Sequence, residues 1–156
     1  MTLGDTPWRV TRKKALLMLT ATVCLAACGS TSAPTVAPLK IYDPTGKETT
    51  QVTSADLVKR SVRAGRDLGF VYLSLPLTHE GARKFQRLTR AIALRGRRVH
   101  SMQAIVVEIG GRWHRRIGVD YRDFPNGITH ADKNGLEISG LTLANARRFA
   151  RLLTGR

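Results

Sequence analysis

The chain is poor in cysteine, aromatic residues and acids. Two cysteines in 156 residues exclude a disulfide scaffold and a four-cysteine zinc site. Aromatic residues make up only 6%, yet hydrophobic residues reach 42%, which is enough for a core and excludes general disorder. The apolar run from Ala15 to Ala27 covers 13 residues, short of the about 20 that span a bilayer. No G-x-S-x-G, S-x-x-K or H-x-x-x-H pattern occurs, so the common serine-nucleophile and helical zinc motifs are missing. Gly46-Lys47 is not a P-loop, because Ile41 and Glu48 stand where that motif has glycine and Ser/Thr. Acids number 11 against 26 Lys and Arg, a net charge of +15. By itself that excess suggests a nucleic-acid binder or a membrane-surface protein.

The first thirty residues redirect this suggestion. Arg9, Arg12, Lys13 and Lys14 form a positive segment ahead of the apolar run, as in an export signal. Leu25-Ala26-Ala27-Cys28 resembles a bacterial lipobox, in which Cys28 becomes the first residue and carries lipid. Cleavage after Ala26 is the alternative. Residues 1–27 are therefore expected to be a lipoprotein signal peptide on the general secretory route. Residues 28–50 are expected to form a Ser/Thr/Pro-rich tether with a short strand at Lys40-Ile41-Tyr42-Asp43. Residues 51–156 are expected to form one domain. The expected location is the outer face of the cell membrane, with no cofactor beyond the covalent lipid on Cys28. Residues 1–27 hold four basic groups and one acid, so the following 129 residues keep a net +12. Outside the cytosol, nucleic acid is a disfavoured partner.

From Thr53 onward the pattern is regular. Thr53-Ser54-Ala55-Asp56 reads as a helix start, with Leu57, Val58 and Val62 on one face and Gly65 or Gly69 as its end. Val71, Leu73, Leu75 and Leu77 alternate as in a strand, and Pro76 marks its edge or end. Thr78 caps a second helix whose core face is Ala82, Phe85, Leu88, Thr89 and Ile92, ending near Gly96. Met102 to Ile109 is the strongest strand, and Gly110-Gly111 signals a two-residue hairpin to Arg112–Val119. Gly135 to Gly140 is a last short strand. Thr142 caps a final helix facing inward with Leu143, Ala146, Phe149, Ala150 and Leu153. These elements predict an α+β two-layer sandwich, a mainly antiparallel small sheet covered by about three helices.

Several of these blocks together resemble a known family. They are Thr53-x-x-Asp56-Leu57, Val71-Tyr72-Leu73-Ser74-Leu75, Thr78-x-Glu80-Gly81-Ala82-x-Lys84-Phe85-x-x-Leu88-Thr89, Ala104-Ile105-Val106-Val107-x-x-Gly110 and Ile138-Ser139-Gly140-Leu141-Thr142-Leu143. The stretch looks like the head subdomain of the first periplasmic domain of SecD/SecDF, the accessory subunit of the protein-export translocase. The resemblance implies that fold, and contact with exported polypeptide or with translocase components. It does not imply proton pumping, since the chain carries no transmembrane bundle. The chain also has Ile117-Gly118-Val119 where the family places a proline, and it has more arginine.

Chemistry-bearing clusters are few. His79, His100, His114 and His130 show no metal-ligand spacing, so no metal site is assigned. Asp120 and Asp123 lie in a loop near His130 and Asp132. Pairing with Arg115, Arg116 and Arg122, or simple solvation, outweighs acid–base work there. No catalytic residue is assigned, and an enzyme is not expected. Arginine stands out, with 19 Arg against 7 Lys. Arg95, Arg97 and Arg98 form one cluster. Arg112, Trp113, Arg115 and Arg116 form another, and Arg147, Arg148 and Arg151 a third. Together these are read either as a surface for anions or a partner, or as a solvated face of an arginine-rich chain. The anions would be lipid headgroups, envelope polymers or acidic segments of exported chains. Trp113 either meets a ligand or packs on the sheet.

Overall fold

The computed structural model describes residues 36–129, Ala131 and residues 135–156. The signal segment, Cys28, His130 and Asp132 lie outside the described residues. Among the described residues, seven strands and two long helices follow in the order β1 (Leu39–Tyr42), β2 (Val52–Thr53), β3 (Arg63–Asp67), β4 (Phe70–Leu75), α1 (His79–Arg98), β5 (Gln103–Ile109), β6 (Trp113–Val119), β7 (Leu136–Ser139) and α2 (Leu143–Thr154). The strands form two antiparallel sheets, β2-β1-β5-β6 and β3-β4-β7. The first packs under α1 and the second under α2. The α+β class expected from the sequence is present. The single sheet and the third helix are not, among the described residues.

The missing helix is replaced by two single 3-10 turns, Ser54–Asp56 and Lys59–Ser61, followed by β3. Thr53 does begin a turn, and its N–H and hydroxyl both donate to the Asp56 carboxylate (2.8 and 3.2 Å). The chain then leaves helical geometry because better partners lie nearby. Leu57 bridges to Leu77, and the Val58 N–H donates to the Pro76 carbonyl at 2.9 Å. Gly65 serves β3 and ends no helix. A Cβ there would sit 2.5 Å from the Tyr72 ring, which lies directly across the ladder. Tertiary pairing outbid a weak helical pattern.

The remaining elements follow their sequence signals. Thr78 and Thr142 cap α1 and α2 by accepting from Gly81 N–H (3.1 Å) and Asn145 N–H (3.2 Å). In β4, Leu73 and Leu75 are fully buried, and Leu77 follows them into the core. Phe85, Leu88 and Ile92 of α1 are fully buried against Ile41, Ile105 and Ile109. The β5–β6 turn spans three residues, not two, since Ile109 pairs with Trp113; Gly110 and Gly111 take φ of +66° and +69°. β1 is integral to the fold. It lies between β2 and β5, with Leu39 and Ile41 in the core.

Candidate functional site

Two buried carboxylates first fix which charges are free to act. Asp56 has 5% of its side chain exposed and accepts the Lys84 ammonium at 2.8 Å. Burial alone would raise its pKa, but Lys84 and the Thr53 donors outweigh it and hold the carboxyl below the usual range. Gly81 makes room for this arrangement, because a Cβ there would stand 2.6 Å from the Asp56 carbonyl oxygen. That carbonyl already accepts the Thr78 N–H at 2.8 Å. Thr53, Asp56, Thr78, Gly81 and Lys84, scattered along the sequence, are thus one structural knot tying the first turn to α1.

Asp43 forms the second knot. Its fully buried carboxylate receives the Arg95 guanidinium through two nitrogens, at 2.6 and 2.9 Å. Thr45 N–H, the Thr45 hydroxyl and Glu48 N–H add bonds of 3.0, 2.9 and 3.1 Å. Burial opposes the charge, yet Arg95 and these donors hold the carboxyl far below its ordinary value. Arg95 is therefore committed inside the protein, with 18% of its side chain exposed. The Asp43-Pro44-Thr45-Gly46 turn was the sequence signal for this knot, since Asp side chains favour bonding the backbone two residues on.

The other arginines are exposed, and the two clusters line separate depressions. Arg98 borders a shallow groove with Lys47, Glu48, Leu94 and Val99, and Arg97 lies exposed beside it. Arg115 and Arg116 border a different groove, shared with Ile117, Glu137, Ile138 and Ser139. Arg112 is exposed in the hairpin turn. Trp113 is half-buried and stacks at a tilt on Phe149 of α2, 4.9 Å between centroids, so it joins the two halves of the fold. In the loop, Asp120 accepts the Arg122 N–H at 2.9 Å. Among the described residues, no three His, Cys, Asp or Glu groups converge in a way that holds a metal.

The second groove has a defined chemistry. β6 is the edge of the four-stranded sheet and β7 the edge of the three-stranded one. Each edge strand directs about every second N–H and C=O away from its neighbour. The two edges flank the same groove, and one side chain crosses it: Arg115 donates to the Ser139 carbonyl beside Gly140. The pairing explains where that side chain lies. Arg115 is opposite Val107 and shares the core-facing side of β6 with Trp113 and Ile117. Arg116, opposite Val106, faces the other side. This seam sets residues of two edge strands along one groove, and unpaired strand edges are the kind of site that an extended backbone joins.

No protein-family model matches the chain, and no curated protein does. Two solved structures are similar to it. One is a crystal structure of SecDF in its super-membrane-facing form, 28% identical over 66% of this chain and 12% of that one, with a TM-score of 0.48. The other is a structure of SecDF described as a membrane component that enhances protein export. It is 19% identical over 79% of this chain and 64% of that one, with a TM-score of 0.51. The second likeness shows the fold that the sequence blocks led us to expect. The chain spans less than two thirds of either SecDF chain.

Proposed function

We propose that this protein is a non-catalytic binding module of the cell envelope. In this reading, lipid on Cys28 holds it to the outer face of the cell membrane, and it engages exported polypeptides while they are extended. The observation that carries the reading is the seam between β6 and β7. A strand laid there pairs with both edges and turns two sheets into one. Arg115 then acts as a latch, which must leave the Ser139 carbonyl as the strand enters. The likeness to SecDF supports exported chains, and translocase components beside them, as the partners. No helix among the described residues is long and apolar enough to cross a membrane; in this reading the attachment rests on the lipid at Cys28. The exposed Arg97, Arg98, Arg112 and Arg116 favour a second reading, a cationic envelope protein that binds anionic lipid or cell-wall polymer without a role in secretion.

A photo-crosslinking residue at Ile117, in the full chain in cells, tests the first reading. It is expected to capture newly exported polypeptides. The same probe at Val99, on the other groove, is expected to capture few. Arg115→Ala frees the latch and should raise the Ile117 yield. Capture at Val99 but not at Ile117 would sink the seam, and capture of exported chains at neither position would favour the second reading. In the same cells Cys28→Ser should release the chain from the membrane fraction; a membrane-bound, acylated Cys28→Ser chain would overturn the anchor.

A further inference from the structure

The β3–β4 hairpin carries a feature that neither the fold nor the seam uses. Asp67 pairs with Phe70, so Leu68 and Gly69 alone make the turn, with φ of +45° and +85°. Both turn positions require the left-handed region, where Gly and Asn rest without strain and a leucine does not. Leu68 is nevertheless there, and 90% of it is exposed. Phe70 beside it is 73% exposed. These are the two most exposed large apolar side chains among the described residues. On local grounds Leu68 is unfavourable twice, through its backbone and through its contact with water. A residue that the fold penalises twice suggests a use elsewhere.

The surroundings indicate that use. Lys59 and Arg60 precede the hairpin, Arg63 and Arg66 lie along β3, and all four are exposed. Asp67 is the one acid on that arm. The Asp67–Phe70 pair shares one face of the hairpin, and the Arg66–Val71 pair the other. The arm therefore presents a small apolar tip in front of a cationic stem. A stable protein interface buries about 800 Å² on each partner, which one Leu and one Phe at a hairpin tip do not provide. A bilayer interface needs no shaped partner. It accepts apolar side chains at any lateral position, and its anionic headgroups attract the basic groups behind them.

We infer that the β3–β4 tip is a membrane-contact finger, with Leu68 and Phe70 entering the interface of an anionic bilayer and Arg63 and Arg66 against its headgroups. This contact is separate from the seam and holds whether or not exported chains bind there.

The test uses the full chain in vesicles of equimolar phosphatidylglycerol and phosphatidylcholine with brominated acyl chains. Tryptophan replaces Phe70 in one variant and Phe124, on the loop packed against the middle of α1, in another. Emission added by Phe70→Trp should fall about twofold or more with bromine in the bilayer, and that added by Phe124→Trp should not. Arg63→Gln with Arg66→Gln should weaken the bromine quenching at position 70 in phosphatidylglycerol vesicles more than Arg97→Gln with Arg98→Gln does. Leu68→Asn should raise the melting temperature, by relieving the left-handed leucine, while weakening quenching at position 70. That opposite pair of changes separates membrane contact from a merely structural role. Unquenched Phe70→Trp overturns the inference, and so does a tip shielded from aqueous quencher but not reached by bromine, which would place a second copy or another protein on it.

Discussion

Replacing Arg95 by methionine should destabilise the fold sharply and leave anion binding elsewhere intact. The side chain donates through two nitrogens to Asp43, whose carboxylate is fully buried. Methionine keeps the aliphatic stem and removes the charge, so an anion stays buried with only Thr45 and Glu48 as donors. Breaking a buried pair from one side costs about 3–5 kcal/mol. Arg95 keeps some solvent contact, and three donors remain on Asp43, which lowers the expectation to about 2–4 kcal/mol. For a domain of this size that is a fall of roughly 10 °C in melting temperature. Arg98→Met, at an exposed neighbour on the same helix, should stay within about 0.5 kcal/mol. Urea melts of the single variants and of Arg95→Met with Asp43→Asn complete a double-mutant cycle. The double variant should recover at least about 1 kcal/mol of the single loss, because the stranded charge is gone. A cost below about 1 kcal/mol for Arg95→Met, or additive costs in the cycle, would refute the assignment of Arg95 to the interior.

Two further outcomes follow from the same knots. Gly81→Ala would stabilise an ordinary helix by about 1 kcal/mol, yet here the new methyl meets the Asp56 carbonyl at 2.6 Å. It should destabilise by about 1–3 kcal/mol, and a thermal melt that rises instead would show that the turn yields freely. Asp43 and Asp56 both titrate below their ordinary range in the folded chain. Their contribution is complete above the unfolded carboxylate pKa and is lost as pH falls toward the folded values. Melting temperature should therefore hold through the pH range above about 5 and fall steeply below about 4. Asp43→Asn with Asp56→Asn should flatten that acid limb, and an unchanged limb in the double variant would place the acid sensitivity elsewhere.

Much of this molecule was written locally. Thr78 and Thr142 cap helices because a threonine before an amphipathic run satisfies free N–H groups wherever the helix packs. β5 and β6 were legible because β-branched alternation and Gly110-Gly111 leave few other solutions. The apolar faces of α1 and β4 followed from periodicity alone, and these elements suffice for the α+β class. What the sequence could not decide was pairing. Thr53 to Asp56 carries the same starting signal as the real helices. Only the nearby Leu77 and Pro76 backbone drew the following residues into a bridge and a strand. Leu68-Gly69 concealed a hairpin, since leucine rarely occupies a left-handed turn. Arg95 and Arg98 are the same residue type one helical turn apart, and only the position of Asp43 made one internal and left the other at the surface. The seam is likewise a tertiary fact, because a strand's own residues do not reveal which strands end up at the edges of the described sheets. Local propensity is set by each residue's own chemistry, whereas buried partners, free edges and committed charges depend on which distant segments the fold brings together.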